Sequence, residues 1–384
     1  MTQVVIKECS DYQLDKVKQQ LNESIMLLGG WKRLVSAGMK VLLKVNLIGP
    51  KTPDSAAVTH YEFVRALTQL LQEQGCTVWI GDSSGGAIAG IAPTASSFKV
   101  SGLEKVAKDE GAVIKNFDKE GVIEVKTGNA EQMYLAKPMF EADFVINLPK
   151  LKTHSAAIYT GAVKNLFGCV PGLKKGEYHR QAPDPQDLGM IIVDIHQSAP
   201  VGLHIMDGIM AMQGEGPTAG EVYSAKKILM STDPLALDTV AAAMLGMAVD
   251  DIPVLVSARA RKLGESDLQS IEITGDYAEP PALPGFKYPK RFRSSKKRNN
   301  SAVIKVIDFL KARPKIDTKR CKQCNMCVES CPVKAIDKES KKINYNTCIE
   351  CMCCHELCLH KAIDLKNDNW LAALFMRFYR KRAE

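Results

Sequence analysis

Two runs of cysteines near the end of the chain share the spacing C-x2-C-x2-C-x3-C. The first run is Cys321, Cys324, Cys327 and Cys331, and the second is Cys348, Cys351, Cys354 and Cys358. A tight loop with this spacing presents three thiolates to one iron–sulfur cubane, while the fourth cysteine of each run reaches the other cluster. Thiolates are soft ligands, which suit iron–sulfur better than a metal that prefers oxygen.

This shared spacing predicts two [4Fe–4S] clusters with exchanged ligands. One cluster is assigned to Cys321, Cys324, Cys327 and Cys358, and the other to Cys348, Cys351, Cys354 and Cys331. Structural zinc, which also uses C-x2-C pairs, is the alternative, but two tandem runs of identical spacing favour clusters. The segments CPVKAID and CLHKAID, one after each run, match and indicate an internal repeat.

Residues 316–366 resemble the two-cluster bacterial ferredoxins, which are small α+β modules that move electrons. Leu359 replaces the proline that usually follows the last cysteine in that family, and Cys353 is an additional thiol beside Cys354. Cys353 is either a bystander or an alternative ligand.

The other cysteines and the composition restrict the class of protein. Nine of the twelve cysteines lie between Cys321 and Cys358, which is typical of metal binding in a reducing compartment. The scattered Cys9, Cys76 and Cys169 are expected to be core residues. The sequence shows no apolar stretch long enough to span a bilayer and no signal peptide, so we expect a cytoplasmic protein.

The net charge of +8 is concentrated in one segment. Residues 287–300 (KYPKRFRSSKKRNN) carry seven basic residues and no acidic one. A nucleic-acid-binding protein would spread such charge along a face, so we expect no specific nucleic-acid binding. Prolines near residue 280 mark a boundary, and we expect a basic linker over 281–315.

Residues 1–280 alternate between short β-rich runs and helical patterns. Strands are predicted at the start of the chain and over 40–46, 77–82, 144–148, 203–207 and 227–231. Helices are predicted over 16–28, 60–74, 157–167, 185–196 and 235–245. This alternation is typical of an α/β domain with a mainly parallel sheet, in which ligands bind outside the carboxyl ends of the strands.

Polar residues lie in the loops that are predicted to follow the strands, as in the segment 150–154 after the strand 144–148. The candidates for substrate binding are Lys44, Asn46, His60, Asp82, Ser83, Lys150, Thr153, Lys164, Asn165 and Asp207, and those for catalysis are Lys152 and His154. Converging lysines would form a cationic pocket for a carboxylate or phosphate, and His154 could supply a proton. The alternative is that the lysines face solvent and the histidine is structural. Charged residues between the apolar runs of NLPKLKTH and GAVKNLFG are costly to bury without a partner, which favours a functional role.

The motifs KVNL, GDSSGG, NLPKLKTH, GAVKNLFG, DGI…MQGEGP and DPLALDTVAAAMLG resemble the iron–sulfur-centre proteins grouped as domain of unknown function 362. The resemblance covers nearly the whole chain and implies a bipartite redox protein. PDSAAVTH followed by GDSSGG is also similar to the pattern of nickel-pincer lactate racemases, where only His60 has a counterpart. That likeness concerns the fold alone.

Three hypotheses follow. The leading one is an oxidoreductase that takes electrons from an external donor, such as a ferredoxin or flavoprotein, and reduces an anionic substrate or cofactor. It predicts that Lys150, Lys152, His154 and Lys164 converge on one pocket near a cluster. The others are a non-catalytic electron-transfer adaptor and a metallocofactor maturation factor. Residues 367–384 form a predicted amphipathic basic helix, which either docks on the protein itself or contacts a partner or a membrane surface.

Overall fold

Residues 2–87, 91–127, 132–172, 174–292 and 312–366 are described by a computed structural model. The strands are β1 (Thr2–Glu8), β2 (Lys40–Lys44), β3 (Thr77–Asp82), β4 (Val113–Asn116), β5 (Val122–Lys126), β6 (Gln132–Ala136), β7 (Phe144–Asn147), β8 (Lys150–His154), β9 (Ile158–Thr160), β10 (Leu203–Gln213), β11 (Glu221–Ser231), β12 (Ile271–Gly275), β13 (Arg313–Ile316) and β14 (Ile363–Lys366). The α-helices are α1 (Leu14–Leu27), α2 (Trp31–Leu34), α3 (Tyr61–Glu73), α4 (Thr94–Val100), α5 (Leu103–Glu110), α6 (Pro138–Glu141), α7 (Ala162–Asn165), α8 (Lys174–Gln181), α9 (Pro185–Ser198), α10 (Pro234–Met244), α11 (Pro253–Ala260), α12 (Met326–Glu329) and α13 (Cys353–Leu357). Short 3-10 turns lie at Pro53–Ser55, Leu166–Cys169, Val249–Asp251 and Leu268–Ser270.

The large domain is built on a ten-stranded sheet. Its strand order is β12-β1-β11-β10-β7-β2-β3-β4, with β8 paired to β10 and β9 paired to β8. The run from β10 through β7, β2 and β3 to β4 is parallel, and β11 is antiparallel to both of its neighbours. The sheet confirms the predicted α/β class with mainly parallel strands.

The order of the central strands reverses between β2 and β7. From β2 the chain proceeds outward to β3 and β4, and it returns to β7 on the other side of β2. Loops that leave the carboxyl ends of strands at such a switch point diverge and open a crevice, which is where ligands bind in α/β sheets.

Helices cover both faces of this sheet. Alternation along β2 directs Val41 and Leu43 into a core shared with α1, α3 and α5. Leu42 between them lies in a second core shared with α9, α10 and α11. Burying a side chain of this size stabilises the fold by about 1.5–3 kcal/mol, so the two cores hold the crevice-forming loops on a rigid base.

Local caps fix where the helices begin. The Nδ1 atom of His60 accepts from Glu62 N at the start of α3 over 3.2 Å. Asp233 Oδ1 accepts from Leu235 N at 2.9 Å at the start of α10, and a proline follows it at the first position, as is favourable there. The predicted helices 16–28, 60–74, 185–196 and 235–245 are confirmed within two residues at each end.

Two local predictions were wrong. The segment 157–167, predicted as one helix, contains strand β9 before α7, because Ile158 and Thr160 pair with β8. The segment 150–154, predicted as a loop after β7, is itself strand β8, since it pairs with β9 and with β10. Every residue of β8 is buried, so its polar side chains require partners inside the protein.

The cysteine-rich module is a small separate unit around its own core. Strands β13 and β14 pair in antiparallel fashion, and Ile336 forms a bridge with Ile343. The core includes Cys327, Ile336, Cys354 and Ile363. Cys327 and Cys354 thus belong to the interior of the module and are held by its packing.

The expected linker, 281–315, is described only in part. Leu283, Phe286 and Phe292 pack against the core of the large domain, and Tyr288 OH donates to Leu245 O at 2.8 Å. Residues 293–311, which include the second part of the basic run 287–300, lie outside the described residues, as does the predicted terminal helix over 367–384. Within the part of the chain that is described, no helix combines the length and the apolar character needed to cross a bilayer.

Candidate functional site

Electrostatic interactions among the cysteines run mainly within the two assigned sets. Cys327 interacts electrostatically with Cys358, Cys321 and Cys324. Cys354 interacts with Cys351, Cys348 and Cys331, and also with Cys327. Backbone amides donate to the two exchanged sulfurs in the same way, from Ala335 N to Cys331 Sγ and from Ala362 N to Cys358 Sγ, each at 3.2 Å.

A small cavity lies among the cysteines assigned to the second cluster. Its volume is about 20 Å³, and its lining includes Cys331, Cys348, Cys351 and Cys354. Among the described residues no three cysteine, histidine or acidic side chains converge as they would around one metal ion. Cys353 lines this cavity as well, so the four assigned cysteines are neighbours there together with the extra thiol. Amide donors to the sulfurs are the contacts that tune such clusters.

A much larger cavity lies between the large domain and the cysteine-rich module. Its volume is about 300 Å³, and both parts contribute to its lining. The large domain contributes residues from the loops after β2 and β3, from β8 and from α7 and α8, whereas the module contributes Ser330, Cys331, Cys353, Glu356 and Leu357. The cavity thus occupies the crevice at the switch point, closed by the module. Cys331 and Cys353 line both cavities.

Two glycines of GDSSGG allow the module to approach this crevice. A Cβ on Gly86, whose φ is +84°, would lie 3.0 Å from Leu357 Cδ2, and one on Gly85 would lie 3.3 Å from the same atom. The adjacent Ala87 N donates to Ser330 Oγ at 2.9 Å. The glycines therefore serve close packing between the two parts of the chain.

Among the described residues, Lys164 is the lysine of the cavity lining that has no hydrogen-bond partner. It lies on α7 and lines the cavity, and its ammonium donates to no side chain or backbone oxygen among the described residues. Burial lowers its pKa, although Glu356 and Cys353 oppose that effect. A desolvated, unpaired ammonium attracts an anion strongly.

Helix α7 is held in place by a carboxylate from α10. Asp238 accepts from Ala162 N at 2.7 Å and from Val163 N at 2.9 Å, and Tyr159 OH donates to it at 3.0 Å. Burial raises the pKa of Asp238 to about 7. These bonds fix the short helix that presents Lys164 and Asn165 to the cavity.

Lys152 lines the same cavity and is anchored by neutral oxygens. Its Nζ donates to Asn46 Oδ1 and to Ala57 O, both at 2.6 Å. Asn46 Nδ2 in turn donates to Asn165 Oδ1 at 2.7 Å. Burial lowers the pKa of Lys152 well below its usual value, and Lys164 lowers it further, because neither oxygen supplies a compensating charge.

His154 faces the module from the end of β8. Its Nδ1 accepts from Ala156 N at 3.2 Å and from Ala157 N at 3.0 Å, so the proton of a neutral imidazole is on Nε2. Burial, followed by Lys164, lowers the pKa of His154 well below its usual value. The Nε2 atom lies 3.3 Å from Glu356 Oε1, which has no hydrogen-bond partner among the described residues.

Asp82 and Lys44 form a buried ion pair behind the cavity. Lys44 Nζ lies 2.9 Å from Asp82 Oδ1 and also donates to Val45 O at 2.7 Å. Asp82 further accepts from Leu47 N at 2.8 Å, which orders the loop after β2. A Cβ on Gly168 would lie 2.3 Å from Asp82 Oδ1, so only glycine fits against this pair.

Five of the twelve predicted residues do not line the cavity, namely Lys44, which lies behind it, and four that lie elsewhere. Lys150 donates to Asp207 Oδ2 and to Tyr12 OH, both at 2.7 Å, and the ring of Tyr12 stacks on His60 at 3.6 Å. Thr153 is buried and donates to Met212 O at 3.4 Å. Lys150, Asp207, His60 and Thr153 are absent from the cavity lining that the described residues form. The structure thus brings together Asn46, Asp82, Ser83, Lys152, His154, Lys164 and Asn165.

The sequence analysis missed several lining residues. Lys175 of α8 donates to Ser83 Oγ at 2.7 Å and to Ser83 O at 2.8 Å, and burial lowers its pKa to about 8. His179, also on α8, and Glu356 of α13 line the cavity too. Burial raises the pKa of Glu356 to about 7. Glu356 follows Cys354 by two positions, so its place in the cysteine run was a usable signal.

Comparisons with known families agree with the division of the chain into a large domain and a cysteine-rich module. Residues 41–243 match the family described as domain of unknown function (DUF362). Residues 314–337 match the family described as 4Fe-4S binding domain, so this part of the chain binds a [4Fe–4S] cluster and the protein transfers electrons.

One relative is a thylakoid-associated protein of Synechocystis sp., which is 33% identical over 282 residues. The match covers 73% of this chain and 85% of that protein.

Two solved structures have a distant likeness to the chain. A protein of Thermotoga maritima aligns with a TM-score of 0.39 at 15% identity, covering 59% of this chain and 57% of that one. The lactate racemase apoprotein of Thermoanaerobacterium thermosaccharolyticum aligns with a TM-score of 0.33 at 11% identity, covering 58% of this chain and 53% of that one. The chain thus spans little more than half of each structure.

Proposed function

The chain belongs to the family described as domain of unknown function 362, and we propose that it is an oxidoreductase that reduces a small organic anion. The anion would bind in the cavity between the large domain and the cysteine-rich module. One observation carries the proposal: Lys152 and Lys164 line the same cavity as Cys331, which we assign to the second cluster. A site for negative charge therefore borders a site for electrons.

The proposed cofactors are two [4Fe–4S] clusters, bound by the exchanged sets of cysteines. When bound, they supply electrons one at a time. An external donor, such as a ferredoxin or a flavoprotein, would provide those electrons. We place the protein in the cytoplasm, because clustered metal-binding cysteines are typical of a reducing compartment.

The size and lining of the cavity indicate the kind of substrate. A volume of about 300 Å³ is at the lower end of the range for small-molecule sites. Apolar residues such as Leu47, Phe167 and Leu357 share the lining with the lysines. This combination suits an organic molecule with one anionic group, whose charge would pair with Lys164 because that ammonium has no other hydrogen-bond partner among the described residues.

The neighbouring side chains suit a proton transfer that accompanies reduction. Because burial lowers the pKa of Lys152, its ammonium can release a proton more readily than an exposed lysine. His154 stays neutral, and its Nδ1 is occupied by two backbone amides. We therefore assign the proton to Lys152, and to His154 a hydrogen bond donated from Nε2.

The test is anaerobic purification followed by mass spectrometry of small molecules released on denaturation. The wild-type protein should retain an organic anion, and Lys164→Met should not, with equal iron content in both. Lys126→Met changes an exposed lysine on β5 and serves as the matched control, which should retain the anion. Absence of any anion from the wild-type protein, or equal retention in Lys164→Met, would contradict the proposal.

A further inference from the structure

The two proposed cluster sites differ in their access to solvent. All twelve cysteines lie within the described residues, and Cys324 alone among them is exposed. Each assigned set contains one buried cysteine, Cys327 or Cys354, and the set without Cys324 has no exposed cysteine. Cys331 of that set lines the cavity. The site that contains Cys324 is thus the one that an external protein can approach.

Basic side chains surround this exposed site. Lys319, Arg320 and Lys322 flank Cys321 in the sequence KRCKQC, and all of them are exposed. Arg320 Nη1 donates to Lys361 O at 2.7 Å, which brings the exposed Lys361 next to the same loop. Lys51 of the large domain is half-buried and contacts the same set of cysteines, with Nζ 3.5 Å from Cys358 O.

Acidic side chains nearby do not reverse the sign of this surface. Asp317 and Asp364 both pair with Arg320, which leaves Lys319, Lys322 and Lys361 without an ion-pair partner among the described residues. The turn over residues 337–342 adjoins this surface, because Lys341 Nζ donates to Asn325 Oδ1. That turn balances two exposed acids, Asp337 and Glu339, with two exposed lysines, Lys338 and Lys342.

We propose that the surface formed by Lys51, Lys319, Lys322 and Lys361 around Cys324 is the docking face for an acidic one-electron carrier protein. Electron-transfer partners form small, transient interfaces, whose association is accelerated by complementary charge and weakened by salt. The carrier loses one electron and the site beside Cys324 gains it, so two encounters supply a two-electron reduction. This inference rests on the proposed electron-transfer function and adds the partner and its place of contact.

The test measures binding of anaerobic, iron-loaded protein to two probes by calorimetry at low ionic strength. The probes are a flavodoxin of acidic charge and a cytochrome c of basic charge. The flavodoxin should bind and the cytochrome should not. Lys319→Glu/Lys322→Glu should raise the Kd for the flavodoxin on the order of tenfold. The difference in Kd between the wild type and this variant should vanish at roughly 1 M salt, where the Debye length is about 3 Å.

Two further variants keep the outcome unambiguous. Lys319→Glu/Lys361→Glu leaves the segment between Cys321 and Cys324 unchanged and should weaken binding equally, whatever the first pair does to iron content. Lys108→Glu/Lys262→Glu makes the same charge change at exposed lysines of the large domain and should leave the Kd unchanged. Equal weakening by both kinds of variant, preference for cytochrome c, or no flavodoxin binding would overturn the inference. Retention of the organic anion by Lys319→Glu/Lys361→Glu would show that only docking is affected.

Discussion

The Nε2 atom of His154 lies 3.3 Å from Oε1 of Glu356, where the last residue of β8 meets the helix that carries Cys354. Both side chains are buried, and Thr218 Oγ1 donates to the backbone oxygen of Glu356. The large domain and the cysteine-rich module are thus joined at the wall of one cavity. Substitutions in the module should therefore alter anion binding, and substitutions at the anion site should alter the module.

Lys164→Met should weaken binding of the organic anion by roughly 10- to 150-fold. The variant removes a charge-assisted hydrogen bond, which contributes about 1.5–3 kcal/mol, while keeping the apolar stem of the side chain. Titration calorimetry with the anion recovered from the wild-type protein measures the change. Lys126→Met should bind as the wild type does, and an unchanged Kd in Lys164→Met would exclude Lys164 from the site.

Anion binding should depend on pH through Lys175. Burial lowers the pKa of this lysine to about 8, so its positive charge is present below that pH and is lost as the pH rises through it. Lys175→Arg keeps its charge throughout, since the guanidinium pKa exceeds 12. The wild type should therefore lose affinity relative to Lys175→Arg by up to about tenfold per pH unit above pH 8. Below pH 7 the anion affinities of the two proteins should change with pH in parallel. Parallel changes above pH 8 as well would show that the charge of Lys175 does not contribute to anion binding.

Gly168→Ala should destabilise the protein and weaken the anion site together. The new methyl group would lie 2.3 Å from Asp82 Oδ1 and 2.7 Å from Lys44 Nζ, and such overpacking costs about 1–3 kcal/mol. Thermal unfolding and anion titration provide the two readouts. Gly49→Ala is the matched control, because a Cβ there meets nothing within 4 Å. Equal melting temperatures for the two variants would show that the Lys44–Asp82 pair tolerates the methyl group.

Substitution of the extra thiol, Cys353, and of the exchanged ligand, Cys331, should have different effects on the iron content. Cys331→Ser should reduce the iron content from about eight to about four atoms per chain, because it removes a ligand of one of two [4Fe–4S] clusters. Cys353→Ser should leave about eight, since Cys353 lines the wall between the two cavities without belonging to either assigned set. Loss of iron from Cys353→Ser comparable with Cys331→Ser would make Cys353 a ligand.

Local patterns were enough to predict the cysteine module and most of the fold. The cysteine spacing is set by the cluster itself, and β2, β3, α3 and α10 follow periodicities that depend on short stretches of chain. Lys152, His154 and Lys164 could be proposed as partners because loops after parallel strands meet at one edge of the sheet.

The remaining features depend on contacts between distant elements. Lys150 and Lys152 are two residues apart, yet they face different surroundings, because Asp207 of β10 is opposite Lys150 whereas Met212 is opposite Lys152. That irregular register cannot be read from alternation alone. Lys175 and Glu356 reach the cavity only because α8 and the module close over it, and no periodicity in either segment indicates that closure.

The most direct test of the account uses protein whose clusters have been reduced anaerobically and freed of excess reductant. This protein is mixed with the organic anion recovered from the wild-type preparation, and reoxidation is followed by visible absorbance with mass spectrometry of the product. We predict that the anion reoxidises the wild-type protein and is itself reduced, and that Lys164→Met reoxidises at least about tenfold more slowly at the same anion concentration. Wild-type protein that stays reduced with the anion bound would contradict it.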